Sequence, residues 1–518
     1  MKDNSVSTES RQRTRIFRKA LRDIEFICRQ ILRFSKMSPE QLLKHMSKRK
    51  EDAFCTIPHH SGQGHLICGH EASQRFDTLG NLVLDYEPYL AGRVNSEIIR
   101  EKIVDAFAQR VLREHGGLDT ATAETILKDA SDRCKESLGT REYFLPCVLF
   151  RHGGPNEFRV GPVTFARRAT FFRSRRAMFK ESVQAGIRSH IAHVNRAVMD
   201  GFPYDRAATE EQSRQFVRSL HARALKTFRN YPWVARASVS NCSYETGTEI
   251  AERTITLAIN SMRVILGASH TSGLRLAWFP VNPRQTAQMW TNSEGMVQVS
   301  IGSKADGPVG VKNWYDGLTI SNGSELAILG SALEPLVTCA PVFHLQQRLL
   351  DAINWFGDAA ADPEPTASIV KYVSAIERLL FGARQRETRK QFGSRLKALW
   401  VGFDCDGKET VGDRAHKVYE ARSCLLHGSM SPRSTDTHHL VTQSGEIARL
   451  CILCAGQLYP MMIRAYGDPG PEMLEKVMMK IQGEGIDWLA KEAGYLSCER
   501  EGIPARDVPA FSSTPNIE

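Results

Sequence analysis

From about residue 340 to residue 465 the apolar side chains recur at helical intervals through five successive segments, and the breaks between them are short. Val342, Leu345, Leu349, Ile353 and Phe356 mark the first segment, residues 341–355. After the break Asp362-Pro-Glu-Pro365, residues 366–381 carry Ile369, Tyr372, Val373, Ile376, Leu379 and Leu380 on one face. Residues 388–400, 411–427 and about 438–465 supply three more helices. Amphipathic helices of this length, each obliged to bury one stripe and joined by short loops, predict an up-and-down bundle. Beyond Gly467-Asp-Pro-Gly-Pro471 the pattern predicts a further helix to about residue 493. The last ~20 residues, rich in Pro, Ser and charge, read as a mobile tail.

The first two thirds of the chain have a different texture. Residues 96–115, 119–138, 173–199 and 208–230 read as helices. Residues 144–150, 160–165, 254–260, 274–279 and 296–301 read as short strands. There is no regular β-α alternation, no internal repeat, no P-loop and no dinucleotide fingerprint. The expected fold class is therefore α+β: a mixed N-terminal region followed by an all-α bundle. At 518 residues the chain exceeds one domain. Four stretches follow from the pattern: a basic helical segment at 1–50, an α+β region at 51–338, the bundle at 339–467, and a helix with its tail at 468–518.

Charge enters where partners are concerned. A formal charge of +10 and a pI near 9.0 suit a polyanion such as RNA or DNA, although many mildly basic proteins bind neither. In residues 11–36, Ile16, Ala20, Ile24, Ile27 and Ile31 follow helical spacing, while Arg11, Arg13, Arg15, Arg18, Lys19, Arg22, Arg29 and Arg33 occupy the rest. Such a face can lie along phosphates or simply be solvated. Residues 173–176, Arg-Ser-Arg-Arg, form a second, smaller basic patch. The Ser38-Pro39-Glu40 sequence reads as a helix start, with serine as the N-cap. Twelve scattered cysteines without scaffold spacing, and no recognisable secretory leader, predict reduced thiols and a cytoplasmic location. Asp3, Glu9, Asp23 and Glu25 argue against a transit peptide. No apolar run approaches the ~20 residues of a membrane helix, so no membrane partner is expected.

Two groups of residues could carry chemistry. Cys55, His59, His60, His65, Cys68 and His70 form the densest His/Cys cluster. These are zinc-type ligands, yet their spacing matches no closed zinc finger, and a polar loop turned by Gly62, Gly64 and Gly69 is the other reading. No cofactor is expected. Cys55, His59, His65, Cys68 and His70 stand as the candidate metal ligands, and with them a metal-dependent nuclease as a third functional reading, one that lacks a carboxylate array.

The second group is the stretch Tyr419-Glu-Ala-Arg422-Ser423-Cys-Leu-Leu-His427-Gly428, which closes a predicted helix at a glycine. Spacing alone carries little information: Arg110…His115, Arg188…His193 and Arg433…His438 repeat it. Context separates this pair, because two helices upstream lies Ala375-Ile-Glu377-Arg-Leu-Leu380. An "A-x-E-x-L-L" helix followed by "R-x4-H-G" at the end of a later helix, inside an all-helical C-terminal segment, resembles the HEPN superfamily, and its Apea-like branch in particular. The resemblance covers residues 340–465, and more loosely 140–335. It departs at the residue after the arginine, where HEPN domains carry Asn, Asp or His and this chain has Ser423.

The resemblance implies a HEPN-type helical bundle and a metal-independent endoribonuclease of the anti-phage, abortive-infection kind. It also implies a homodimer whose Arg–His pairs meet at a composite cleft, with RNA as substrate and a phage-derived trigger. Arg422 and His427 are then the catalytic residues, with Glu377 and Ser423 in support; Tyr419, one turn before Arg422, either lines the same cleft or packs in the core. The side-chain chemistry suits the role. RNA supplies its own 2′-OH nucleophile, imidazole titrates near neutrality, and guanidinium grips phosphate oxygens. Glu377 could pair with Arg422 and aim it, or with Arg378 or Arg384 at the surface. Residues five apart on an ideal helix point about 140° apart. The pair therefore converges only if the helix ends between them or a second protomer contributes. The alternative reading is a non-catalytic HEPN-like module that dimerises or binds nucleic acid, in which Arg422 snorkels and His427 caps helix carbonyls.

Overall fold

The computed structural model describes residues 3–494 apart from 39, 42–54, 59–64, 115–116, 199–205, 278–284, 292–296, 304–312, 383–387, 404–405, 407–409, 432 and 434–435. The expected C-terminal tail thus lies outside the described residues. The chain is α+β: predominantly helical, with one five-stranded sheet and two hairpins among the described residues. It forms two compact units, residues 1–141 with 239–250, and residues 142–238 with 251–518.

The first unit is built on α1 (Asp3–Ser35), a small hairpin of β1 (Cys55–Pro58) and β2 (His65–Cys68), α2 (His70–Tyr86), α3 (Ser96–Phe107) and α4 (Thr120–Ser137). The predicted apolar stripe of α1 is the buried one: Ile16, Ala20, Ile24, Ile27 and Ile31 are 0–7% exposed and join Phe76, Leu79, Ile99, Ile103, Ile126 and Leu127 in one core. Asn95 and Asp119 cap α3 and α4 by accepting from the Ile98 and Thr122 amides, the bond an N-cap side chain supplies to an otherwise orphaned donor. Ser38 and Gln41 exchange reciprocal side-chain-to-backbone bonds of 3.0 and 3.2 Å, a capping box at the expected helix start.

The second unit holds the sheet, in the order β4 (Glu157–Val160), β5 (Val163–Arg167), β6 (Trp233–Cys242), β3 (Gly139–Val148), β7 (Arg275–Leu276). Helix α5 (Arg168–Ser174) and the antiparallel pair α6 (Arg176–Val198) and α7 (Arg206–Arg229) are inserted between β5 and β6. Trp233, Phe150, Phe158 and Trp314 pack as an aromatic cluster against the sheet, with Phe150 and Trp314 stacked at 4.1 Å. The β4–β5 turn touches the helix α10 (Gly323–Ser331), which follows α9 (Trp314–Thr319): a Cβ on Gly161, at φ +53°, would stand 2.2 Å from the Gly330 carbonyl oxygen. A second hairpin, β8 (Gln285–Thr291) with β9 (Val297–Ser303), realises the strand expected at 296–301.

Two expectations are overturned. The strand expected at 160–165 is instead the turn Gly161-Pro162 with the ends of β4 and β5 on either side. Residues 254–260 are not a strand but the middle of α8 (Tyr244–Leu266), where Thr254, Ile255, Leu257, Ala258, Ile259 and Asn260 are all 0–2% exposed. A helix buried on every side has no polar stripe, so its apolar run looks like a buried strand. Strand β6 was not anticipated.

The C-terminal half is helical throughout its described residues: α11 (Glu334–Thr338), α12 (His344–Ala361), α13 (Pro365–Leu380), α14 (Thr388–Gly402), α15 (Val411–Leu426), α16 (Thr437–Tyr466), α17 (Pro471–Glu484) and α18 (Asp487–Glu492). Helix α13 packs on α12, α15 and α16, and α14 packs on α15 and α17. By length and composition α16 could cross a membrane, but 72% of its apolar window is buried, as in a core helix. Gly485, at φ +78°, divides the final predicted helix in two.

Candidate functional site

The Glu377 and Arg422 side chains belong to different helices, α13 and α15, and meet at 3.2 Å between Oε2 and Nη2. Both are partly sheltered, at 23% and 25% exposure. Tyr419, one turn before Arg422, hydrogen-bonds the same carboxylate and lies under the guanidinium, 5.8 Å from its carbon. The Tyr419 ring is set in turn by Phe392 of α14, wholly buried and 5.0 Å away. Burial raises the Glu377 carboxyl above its ordinary value, and the Arg422 charge and the Tyr419 bond oppose the rise. Of the partners open to Glu377, Arg378 is engaged elsewhere, bonded to Asp351 at 2.7 and 2.9 Å, and Arg384 lies outside the described residues. The Arg422 Nε atom is buried with no acceptor among the described residues.

Helix α13 is anchored at the end nearest Glu377. The last carbonyls of any helix lack intrahelical partners and carry the negative end of its dipole. Here the Leu379 carbonyl accepts from the Tyr459 hydroxyl at 2.7 Å, Leu380 from Arg395 at 2.6 Å, and Phe381 from Arg348. Arg395, 1% exposed, also pairs with Glu475 at 2.6 Å, and Glu475 accepts the Gly382 amide at 2.6 Å. Sequence reasoning missed these supports. The available signal was a charged residue set inside an apolar stripe, such as Arg348 between Leu345 and Leu349.

His427 is the C-cap of α15 and is exposed. Gly428 follows at φ +71°; its amide donates to Leu425 O at 3.3 Å, and the Ser429 amide donates to Cys424 O at 2.9 Å. This is a Schellman end, in which glycine takes the left-handed position. The helix thus runs through Leu426 and does not break between Arg422 and His427. Arg422 faces α13 while His427 projects at the tip beside Leu426, which is 55% exposed. Among the described residues no hydrogen bond joins the two side chains. Ser423, half-buried, contributes its carbonyl to the His427 amide at 3.0 Å. A cavity of about 40 Å³ lined by Trp400, Asp406, Val411, Arg414, Glu446 and Leu450 lies at the other end of α15.

The His/Cys cluster is dispersed where it can be seen. Cys68 is buried in the core of the first unit, whereas His65, three residues earlier on β2, is exposed. Alternating strand faces separate positions an odd number apart. His70 opens α2 and contacts Gln74 at 3.0 Å. Cys55 is opposite Cys68 in the hairpin register; its side chain, His59 and His60 lie outside the described residues. No group of three or more His, Cys, Asp or Glu could hold a metal ion among the described residues. Cys451 and Cys454 are core residues of α16, 0% and 3% exposed.

Comparisons with protein-family models, curated proteins and solved structures found no match for the chain.

Proposed function

We propose that the chain is a metal-independent endoribonuclease of the HEPN type, acting in anti-phage defence. The observation that carries this reading is the 3.2 Å pairing of Glu377 with Arg422 across two helices, which joins the acidic residue of the "A-x-E-x-L-L" helix to the arginine of "R-x4-H-G". In the proposed reaction His427 moves the proton of the 2′-OH or of the leaving oxygen. Arg422, held by Glu377 and Tyr419, steadies the phosphate as charge builds on its oxygens. The 2′-oxygen attacks phosphorus, the P–O5′ bond breaks, and a 2′,3′-cyclic phosphate forms. Because Arg422 turns inward and His427 outward, the working pair is assembled between two protomers, the tips of two α15 helices facing each other.

The test is cleavage of RNA by Arg422→Ala and His427→Ala variants in the presence of EDTA. Loss of cleavage in both, with fold and dimer intact, supports the reading; full cleavage by both overturns it. The alternative is a non-catalytic HEPN-like module that dimerises or binds nucleic acid, and one observation favours it: the Arg422 charge is already matched by a carboxylate. That reading expects no cleavage from the parent protein either.

A further inference from the structure

The exposed side of α1 is a line of arginines. At about 100° per residue, Arg11, Arg15, Arg18, Arg22, Arg29 and Arg33 fall within roughly 60° of one another, diametrically opposite the buried isoleucines. All six are exposed. Arg11 to Arg33 spans about 33 Å at 1.5 Å per residue, with neighbours about one turn apart except across the Arg22–Arg29 gap. Two acidic residues accompany the line: Glu25, half-buried, lies at its edge in the Arg22–Arg29 gap, and Asp23, well off the line, is 2% exposed and pairs inward with Arg75 at 2.7 Å.

We propose that this stripe binds the phosphodiester backbone of RNA without reading its bases. A row of charges at one-turn intervals matches a linear polyanion, and guanidinium grips phosphate oxygens two at a time where ammonium acts as a point charge. Base readout or stacking would need exposed aromatics on the same face, but the aromatics of α1 are turned aside: Phe17 and Phe26 are half-buried, with Arg75 over the Phe26 ring at 5.2 Å, and Phe34 is buried. An anionic membrane is the lesser fit. An amphipathic helix at a bilayer inserts its apolar face, and here that face is consumed by the core. The proposal stands independently of the Glu377–Arg422 pair.

The experiment uses the full chain carrying His427→Ala, so that RNA survives whether or not the nuclease reading holds. Affinity for a labelled single-stranded RNA is measured by anisotropy across a series of salt concentrations. The Arg15→Glu/Arg18→Glu/Arg22→Glu variant weakens binding by at least about tenfold and flattens the log K against log salt slope by about two, from roughly 0.7 per phosphate contact. The milder Arg15→Gln/Arg18→Gln/Arg22→Gln variant moves both in the same direction. An Arg173→Glu/Arg176→Glu/Lys180→Glu control makes the same change in net charge elsewhere and leaves affinity within about twofold. Equal loss in the control, no loss in the stripe variants, or stripe-dependent binding to phosphatidylserine vesicles without binding to RNA would each overturn the proposal.

Discussion

Glu377 accepts from Arg422, 45 positions later in the sequence, and Tyr419 closes a three-membered contact by bonding the same carboxylate. The carboxyl is raised above its ordinary value, burial being the larger cause. Its sign fixes a pH dependence. The folded state binds this proton more readily than the unfolded chain, so ionising Glu377 costs stability as pH rises through the window just above the usual glutamate value. The Glu377→Gln variant removes that decline. Its melting temperature, followed against the parent from acid to neutral pH, should gain on the parent as pH rises; parallel curves would contradict the assignment.

Catalysis and stability should separate at His427. The side chain is exposed and its removal touches no core, so His427→Ala should melt within about 1 kcal/mol of the parent. Under the proposed function, loss of a positioned acid–base group should lower cleavage by about 10²–10⁴-fold. Paired melting and single-turnover cleavage measurements check both halves, and a large stability loss would assign His427 a structural role.

Gly428→Ala probes the same tip through the backbone. Nothing lies within 4 Å of the added Cβ, and φ is +71°, so the cost is conformational alone, about 1–2 kcal/mol. Because the Schellman turn orients the residue before it, cleavage should fall further than stability does.

Two ion pairs on neighbouring helices should differ sharply. Arg395–Glu475 is 1% and 13% exposed, whereas Arg378–Asp351 is 36% and 30% exposed. Arg395→Ala strands a buried carboxylate and the Leu380 carbonyl, at about 3–5 kcal/mol. Arg378→Ala should cost under about 1 kcal/mol. Urea titrations compare them directly, and near-equal midpoints would refute the ranking.

Gly357→Ala tests the packing of α12 on α8. A Cβ there would stand 1.9 Å from the Asn260 Cγ, and Asn260 is itself held by Arg263, which also donates to the Gly357 carbonyl at 2.9 Å. Overpacking of about 1–3 kcal/mol is expected, read as a lowered melting midpoint.

The helices of the C-terminal half were legible because each keeps one apolar face for 15 residues or so; the expected bounds of α13 to α16 fall within two residues of the observed ones, whereas α12 runs six residues past its expected stop. The stripe of α1 was legible for the same reason. Helix α8 was misread because burial on all sides erases the period that distinguishes helix from strand. At the candidate site the partner of Glu377 was among the options posed, but choosing Arg422 over Arg378 required knowing that Asp351 stands beside Arg378, a contact 27 residues away that periodicity does not encode. Gly428 marked the helix end where it falls; whether Arg422 and His427 converge was left open by the sequence, because it turned on what lies between and beyond them.

Three buried donors hold the final carbonyls of α13, so that end of the helix has no freedom to fray. Glu377, one turn earlier, is consequently a stationary post. Whatever parts the guanidinium from it moves the arginine side chain or α15, whose tip stands open to solvent, and leaves this post where it is.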